Sequence, residues 1–169
     1  MPKTYEPIAT YTVPSAQSSY TFNSIPITYT DLVIVAVPAT TSGNDNLGMR
    51  VGNGSVDTGT NYSVTVITGN GSAAASDRNT NQTSFLCDYY GSTGATLGNN
   101  IKTIQIMNYS NTTTNKSILV RANRPDSGTD AIVGLWRSTV AINTITLFGR
   151  GGSSFATGTT FTLYGIKAA

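Results

Sequence analysis

Short runs of Thr, Val, Ile and Tyr follow one another along this chain, each closed by a turn rich in Gly, Asn or Asp. That rhythm suits strands and little else. β-branched and aromatic residues favour a pleated surface, and no window repeats apolar residues at the i, i+3, i+4, i+7 spacing of an amphipathic helix. The strand candidates are Ile8 to Val13, Tyr20 to Ile25, Leu32 to Val37, Leu47 to Val51, Tyr62 to Val66 and Thr83 to Tyr90. Ile101 to Met107, Ser117 to Ala122, Ala131 to Arg137, Ile142 to Phe148 and Thr160 to Ile166 complete the set. Leu32 to Val37 is apolar on both faces, which predicts a central, covered strand. Gly52-Asn53-Gly54, Asn70-Gly71, Gly91-Ser92-Thr93-Gly94, Asp126-Ser127-Gly128 and Gly149-Arg150-Gly151-Gly152 supply the turns between them. About ten short strands without a helix predict an all-β, antiparallel β-sandwich of the jelly-roll type. The 169 residues fit a single domain. Pro7 and Pro14 flank the first strand, so residues 1–14 are expected to be an N-terminal arm or edge strand, with Met1 to Glu6 outside the sandwich, and residues 15–169 the sandwich itself. The polar tract Thr68 to Thr83 reads as a long surface loop.

Catalysis finds few residues to use. The chain has no histidine and one glutamate, Glu6. That excludes Ser-His-Asp and Cys-His chemistry and His-ligated metals, and it leaves no pair of opposed carboxylates in evidence for glycoside hydrolysis. Asp126 and Asp130 flank one loop and read as turn caps. Asp45, between Asn44 and Asn46, offers oxygen ligands to Ca²⁺ but lacks EF-hand spacing, so a turn is the better account. Cys87 sits in an apolar run and reads as a small core residue. The chain is therefore expected not to be an enzyme and to need no cofactor or metal. Charged residues are 11% of the chain, with 10 Lys and Arg against 8 Asp and Glu. The cations are scattered, only Arg121 and Arg124 lying close together, so nucleic-acid binding is not expected. The run Leu32 to Val37 is too short to span a bilayer. Met1 to Pro7 has no apolar signal-peptide core, which predicts synthesis in a cytoplasm. Tyr62, Tyr89, Tyr90, Tyr109 and Trp136 suit stacking on sugars, or packing at core edges and subunit interfaces.

Several stretches are more specific than this. Thr4-Tyr5-Glu6-Pro7-Ile8-Ala9-Thr10, Phe22-Asn23-Ser24-Ile25-Pro26, Tyr29-Thr30-Asp31-Leu32-Val33-Ile34-Val35 and Asp57-Thr58-Gly59-Thr60-Asn61-Tyr62-Ser63 resemble segments of small bacteriophage virion structural proteins. So do Leu135-Trp136-Arg137-Ser138-Thr139, Ile142-Asn143-Thr144-Ile145-Thr146-Leu147 and the closing Gly158-Thr159-Thr160-Phe161-Thr162-Leu163-Tyr164-Gly165-Ile166. The group includes capsid decoration (cement) proteins and related tail-fibre modules. The resemblance implies a jelly-roll sandwich, commonly a homotrimer, carried in the virion, with no catalytic residues to transfer. For a compact chain without a fibrous stalk, the expectation is a decoration protein bound between major capsid subunits. The N-terminal segment, through Tyr5, Ile8 and Tyr11, is expected to contact the capsid by strand addition. The alternative is a tail-fibre or receptor-binding module that recognises a host surface polysaccharide.

Overall fold

A computed structural model describes residues 4–90 and 92–167. Its strands are β1 (Tyr5–Thr12), β2 (Ser19–Phe22), β3 (Asp31–Val37), β4 (Leu47–Asn53), β5 (Ser55–Val56), β6 (Tyr62–Gly69) and β7 (Ala74–Gln82). They continue with β8 (Phe85–Leu86), β9 (Ile101–Ile106), β10 (Lys116–Arg124), β11 (Gly128–Trp136), β12 (Thr144–Gly149) and β13 (Thr160–Ile166). There is no helix among the described residues. An eight-stranded sheet runs β1-β13-β3-β9-β10-β11-β6-β7, and a five-stranded sheet runs β2-β12-β4-β5 with β8 on β4. The pairings are antiparallel. The chain is thus an antiparallel β-sandwich of jelly-roll-like form.

Alternation builds the core, because successive side chains on a strand point to opposite faces. In β10, Ile118, Val120 and Ala122 are buried while Ser117, Leu119 and Arg121 are exposed. In β6, Tyr62, Val64 and Val66 are buried while Thr65 and Ile67 are exposed. β3 lies between β13 and β9, and its inward Leu32, Ile34 and Ala36 are wholly buried. The smaller sheet meets this face with Met49, Val51, Phe85, Ile145 and Leu147.

At two points the packing leaves no room for a side chain. Gly134 faces inward on β11, and a Cβ there would lie 2.6 Å from Ile118 Cγ1 and 2.7 Å from the Phe85 ring. At the other end, Tyr29 lies over Gly165, where a Cβ would be 2.3 Å from its ring. These two glycines are packing requirements, not turn residues.

Some expected elements differ. Thr68 to Thr83 is not a loop: β7 pairs with β6 from Gly69↔Ala74 to Tyr62↔Gln82, with a register shift between Tyr62 and Val64. An exposed edge strand needs no apolar face, so its polar composition concealed it. The strand expected from Tyr20 to Ile25 stops at Phe22, and the backbone turns at Ser24, whose φ is 53°. Thr83 to Tyr90 yields only the short β8. In the expected N-terminal arm, Met1 to Lys3 lie outside the described residues, while Tyr5 and Glu6 pair with Ile166 and Gly165. β1 is an edge strand of the large sheet. Replacing Gly134 with Val should therefore cost at least ~1–3 kcal/mol through overpacking. A urea melt is expected to show a lower midpoint with an unchanged slope, and an unchanged midpoint would remove the close approach from the account.

Candidate contact surfaces

The residues expected to contact a partner from β1 divide into two kinds. Tyr5 is 53% exposed and meets Tyr164 edge-on, with ring centroids 6.3 Å apart. Ile8 and Tyr11 are half-buried against the core. Tyr11 stacks on Tyr20 at 3.8 Å and donates its hydroxyl to Gln17 Oε1 at 2.7 Å. These two fasten β1 to its own sandwich and leave Tyr5 as the free aromatic. The outer side of β1 is the open edge of the sheet, interrupted by an irregularity between Pro7 and Ala9.

The aromatics considered for sugar stacking also divide. Tyr62, Tyr109 and Trp136 are buried. Tyr62 packs edge-on to Phe85 at 4.9 Å, and Trp136 donates its indole N–H to Asp57 Oδ2 at 2.7 Å. Tyr89 and Tyr90 remain partly exposed as a tilted pair 5.3 Å apart.

Four carboxylates lie in or near the loops beside that pair. Asp45 accepts the Gly151 N–H on Oδ1 at 2.6 Å and the Ser153 N–H on Oδ2 at 3.0 Å, as a turn-holding residue should. Asp130 is buried and accepts the Tyr89 N–H at 2.6 Å and the Tyr90 N–H at 3.0 Å. Asp126 is on the surface, paired with Arg124 at 2.8 Å. Asp88 is fully buried, 3.2 Å from the equally buried Lys102 Nζ, and also accepts the Leu47 N–H and the Thr93 hydroxyl. Nothing in the sequence joins Asp88, in the loop after β8, to Lys102 on β9. Burial pushes the Asp88 carboxyl up to about 6, although Lys102 and the hydrogen bonds oppose it. Burial likewise pulls Lys102 down, against the attraction of Asp88. Cys87 is buried, and burial raises its thiol well above the usual range, so it is a core residue and not a nucleophile. No group of three or more His, Cys, Asp or Glu able to hold a metal occurs among the described residues.

The surface that sequence reasoning missed is the outer face of the large sheet. Ile67, Leu119 and Val133 are 65%, 44% and 53% exposed there. Register aligns Thr65, Val133, Leu119 and Gln105 across β6, β11, β10 and β9, with Ile67, Ala131, Arg121 and Thr103 in the adjacent row. Arg121 lies on this face, while Arg124, three residues on, falls to the other side, so the two cations form no patch. The signal was available: Val133 and Leu135 alternate with Gly134 and Trp136, giving β11 apolar residues on both faces.

No family model matches the chain, and no curated protein matches it.

The buried pair has a pH signature. The folded Asp88 carboxyl sits above its usual 3.8, so its contribution to stability is complete below that value and is lost as pH rises through about 6. Between pH 5 and 7 the thermal midpoint of the wild type is expected to fall relative to that of Asp88→Asn, which does not titrate. Parallel midpoints across that range, measured by circular dichroism, would contradict the burial-driven shift.

Proposed function

We propose that this chain is a structural protein of a bacteriophage particle, acting as a capsid decoration protein that binds between major capsid subunits as a homotrimer. The observation that carries the reading is the open β1 edge with Tyr5 exposed on it. An edge strand offers unpaired N–H and C=O groups to a neighbour, and an exposed aromatic supplies apolar contact area at low entropy cost. The sequence resemblance supplies the particle, and the filled sandwich supplies a rigid body with its chemistry at the surface. The work is mechanical: a subunit that binds the assembled shell and not its dissociated parts stabilises the shell by mass action. Few charges take part in such a contact, so it tolerates wide changes in salt.

A tail-fibre or receptor-binding role is the second reading. Its support is narrower than the sequence suggested, because Tyr89 and Tyr90 alone of the five aromatics are available to stack on a sugar. The experiment is a binding titration on empty heads with the wild type, Tyr5→Ala and a Tyr89→Ala/Tyr90→Ala variant. Tyr5→Ala is expected to weaken head binding about tenfold, as loss of an interface aromatic does, while the double variant binds as the wild type. Head binding that is absent, or indifferent to Tyr5, sinks the decoration reading. Saturable polysaccharide binding that depends on Tyr89 and Tyr90 would replace it.

A further inference from the structure

We infer that the outer face of the large sheet, from β6 across to β9, is the surface on which a second copy of this chain docks. The contact it describes joins two copies face to face, a two-fold association additional to the three-fold one proposed above, and it rests on that reading only in taking the chain as a subunit of an assembly.

The face is apolar in a contiguous way. Ile67, Leu119 and Val133 are all substantially exposed on it, and register places Leu119 directly opposite Val133 and Ile67 on the strand beyond, in the next row. Single exposed apolar residues are normal, but a connected patch marks an interaction site. Four strands at ~4.8 Å and about seven residues at ~3.3 Å give a face of roughly 19 by 23 Å, or ~440 Å² before side-chain relief. That is the size of a small, reversible interface and about half the ~800 Å² per partner of a standard one.

Charge selects the occupant. Of the outward residues of β6, β11, β10 and β9 among those described, Arg121 is the one charged side chain. A strongly acidic partner would find one cation to pair with, and a basic partner no anion. A surface of the same kind loses least on contact, because almost no charge must be stripped of water. Shape agrees. A shallow depression of about 340 Å³ is lined by Thr65, Ile67, Leu119, Arg121, Ala131 and Val133. Its small residue, Ala131, lies beside the protruding Ile67 in one cross-strand row. A knob next to a hollow is what self-association requires, since each copy offers both parts. Two such faces would pack about 10 Å apart, as the two sheets of a sandwich do.

The test is sedimentation velocity on the full chain at micromolar concentration, with circular dichroism to follow the fold. Wild type and Tyr5→Ala are expected to be oligomeric, and Leu119→Glu/Val133→Glu monomeric with its β spectrum intact. Should the charged pair fail to fold, Leu119→Thr/Val133→Thr keeps strand-forming residues on the face, and at least a tenfold weaker self-association is expected from it. A wild type that stays monomeric at about 100 μM, or an oligomer that either folded double variant leaves intact, overturns the inference. Head binding is measured separately: self-association through this face with no binding to heads removes the decoration role and leaves this inference standing, and head binding by a monomer does the reverse.

Discussion

One carboxylate, that of Asp57, accepts the Trp136 indole N–H at 2.7 Å, the Gly59 N–H at 2.7 Å and the Asn61 side-chain amide at 2.8 Å. The carbonyl of the same residue accepts the buried Tyr62 hydroxyl at 2.8 Å, and that hydroxyl in turn accepts the Val51 N–H at 3.2 Å. One turn therefore joins β11 and β6 of the large sheet to β4 of the small one. Burial works against the ionised form of Asp57, but the hydrogen bonds outweigh it and hold the carboxyl below its usual value. Its stabilisation is present above that usual value and is lost only as pH falls through the lower folded one. Across the neutral range the joint stays ionised and closed, and Tyr62 and Trp136 keep fixed positions against Phe85.

The far end of the sandwich is closed by a different device. Tyr29 lies over Gly165, donates its hydroxyl to Glu6 at 3.2 Å, and donates its backbone N–H to the Tyr109 hydroxyl oxygen at 3.3 Å. Lys167 reaches Glu6 at 3.1 Å and stands over the Tyr29 ring. Segments far apart in the chain, from β1, the turn before β3 and the end of β13, thus meet around one tyrosine. Asp57 to Tyr62 and Leu135 to Trp136 meet in the same way at the other joint. Residues from both ends of the chain and from its middle are in this sense the fasteners of the sandwich.

What the sequence revealed is uneven. Strands with one buried face announced themselves: Thr160 to Ile166 was read to its exact ends, and Leu32 to Val37 missed only Asp31, because apolar alternation and turn residues agree there. β7 has no buried face to impose a period, so Ala74 to Gln82 looked like loop. The exposed or buried state of the aromatics was not legible either. Trp136 and Tyr62 are drawn inward by hydrogen-bond partners that only the fold brings near them, whereas Tyr89 and Tyr90 have their backbone amides taken by Asp130 and their rings left outside. The Asp88–Lys102 pair was invisible for the same reason, since the fold alone brings the loop after β8 onto β9.

The two open edges of the large sheet are not equivalent. β7 is exposed along its length and carries Asp77 and Arg78, and charged, polar edges resist pairing with another chain. β1 has one charged residue, Glu6, and that carboxylate is already engaged by Lys167 and Tyr29. β1 is therefore the edge with less to prevent contact. It also belongs to the same side of the molecule as the apolar face. The cross-strand row that begins at Thr65, Val133, Leu119 and Gln105 continues through Val33 and Tyr164 to Pro7, and Tyr5 rests against Tyr164. Val33 in this row is itself covered, so the β1 edge and the Ile67–Leu119–Val133 patch are two separate features of one side of the sheet, and they share no residues.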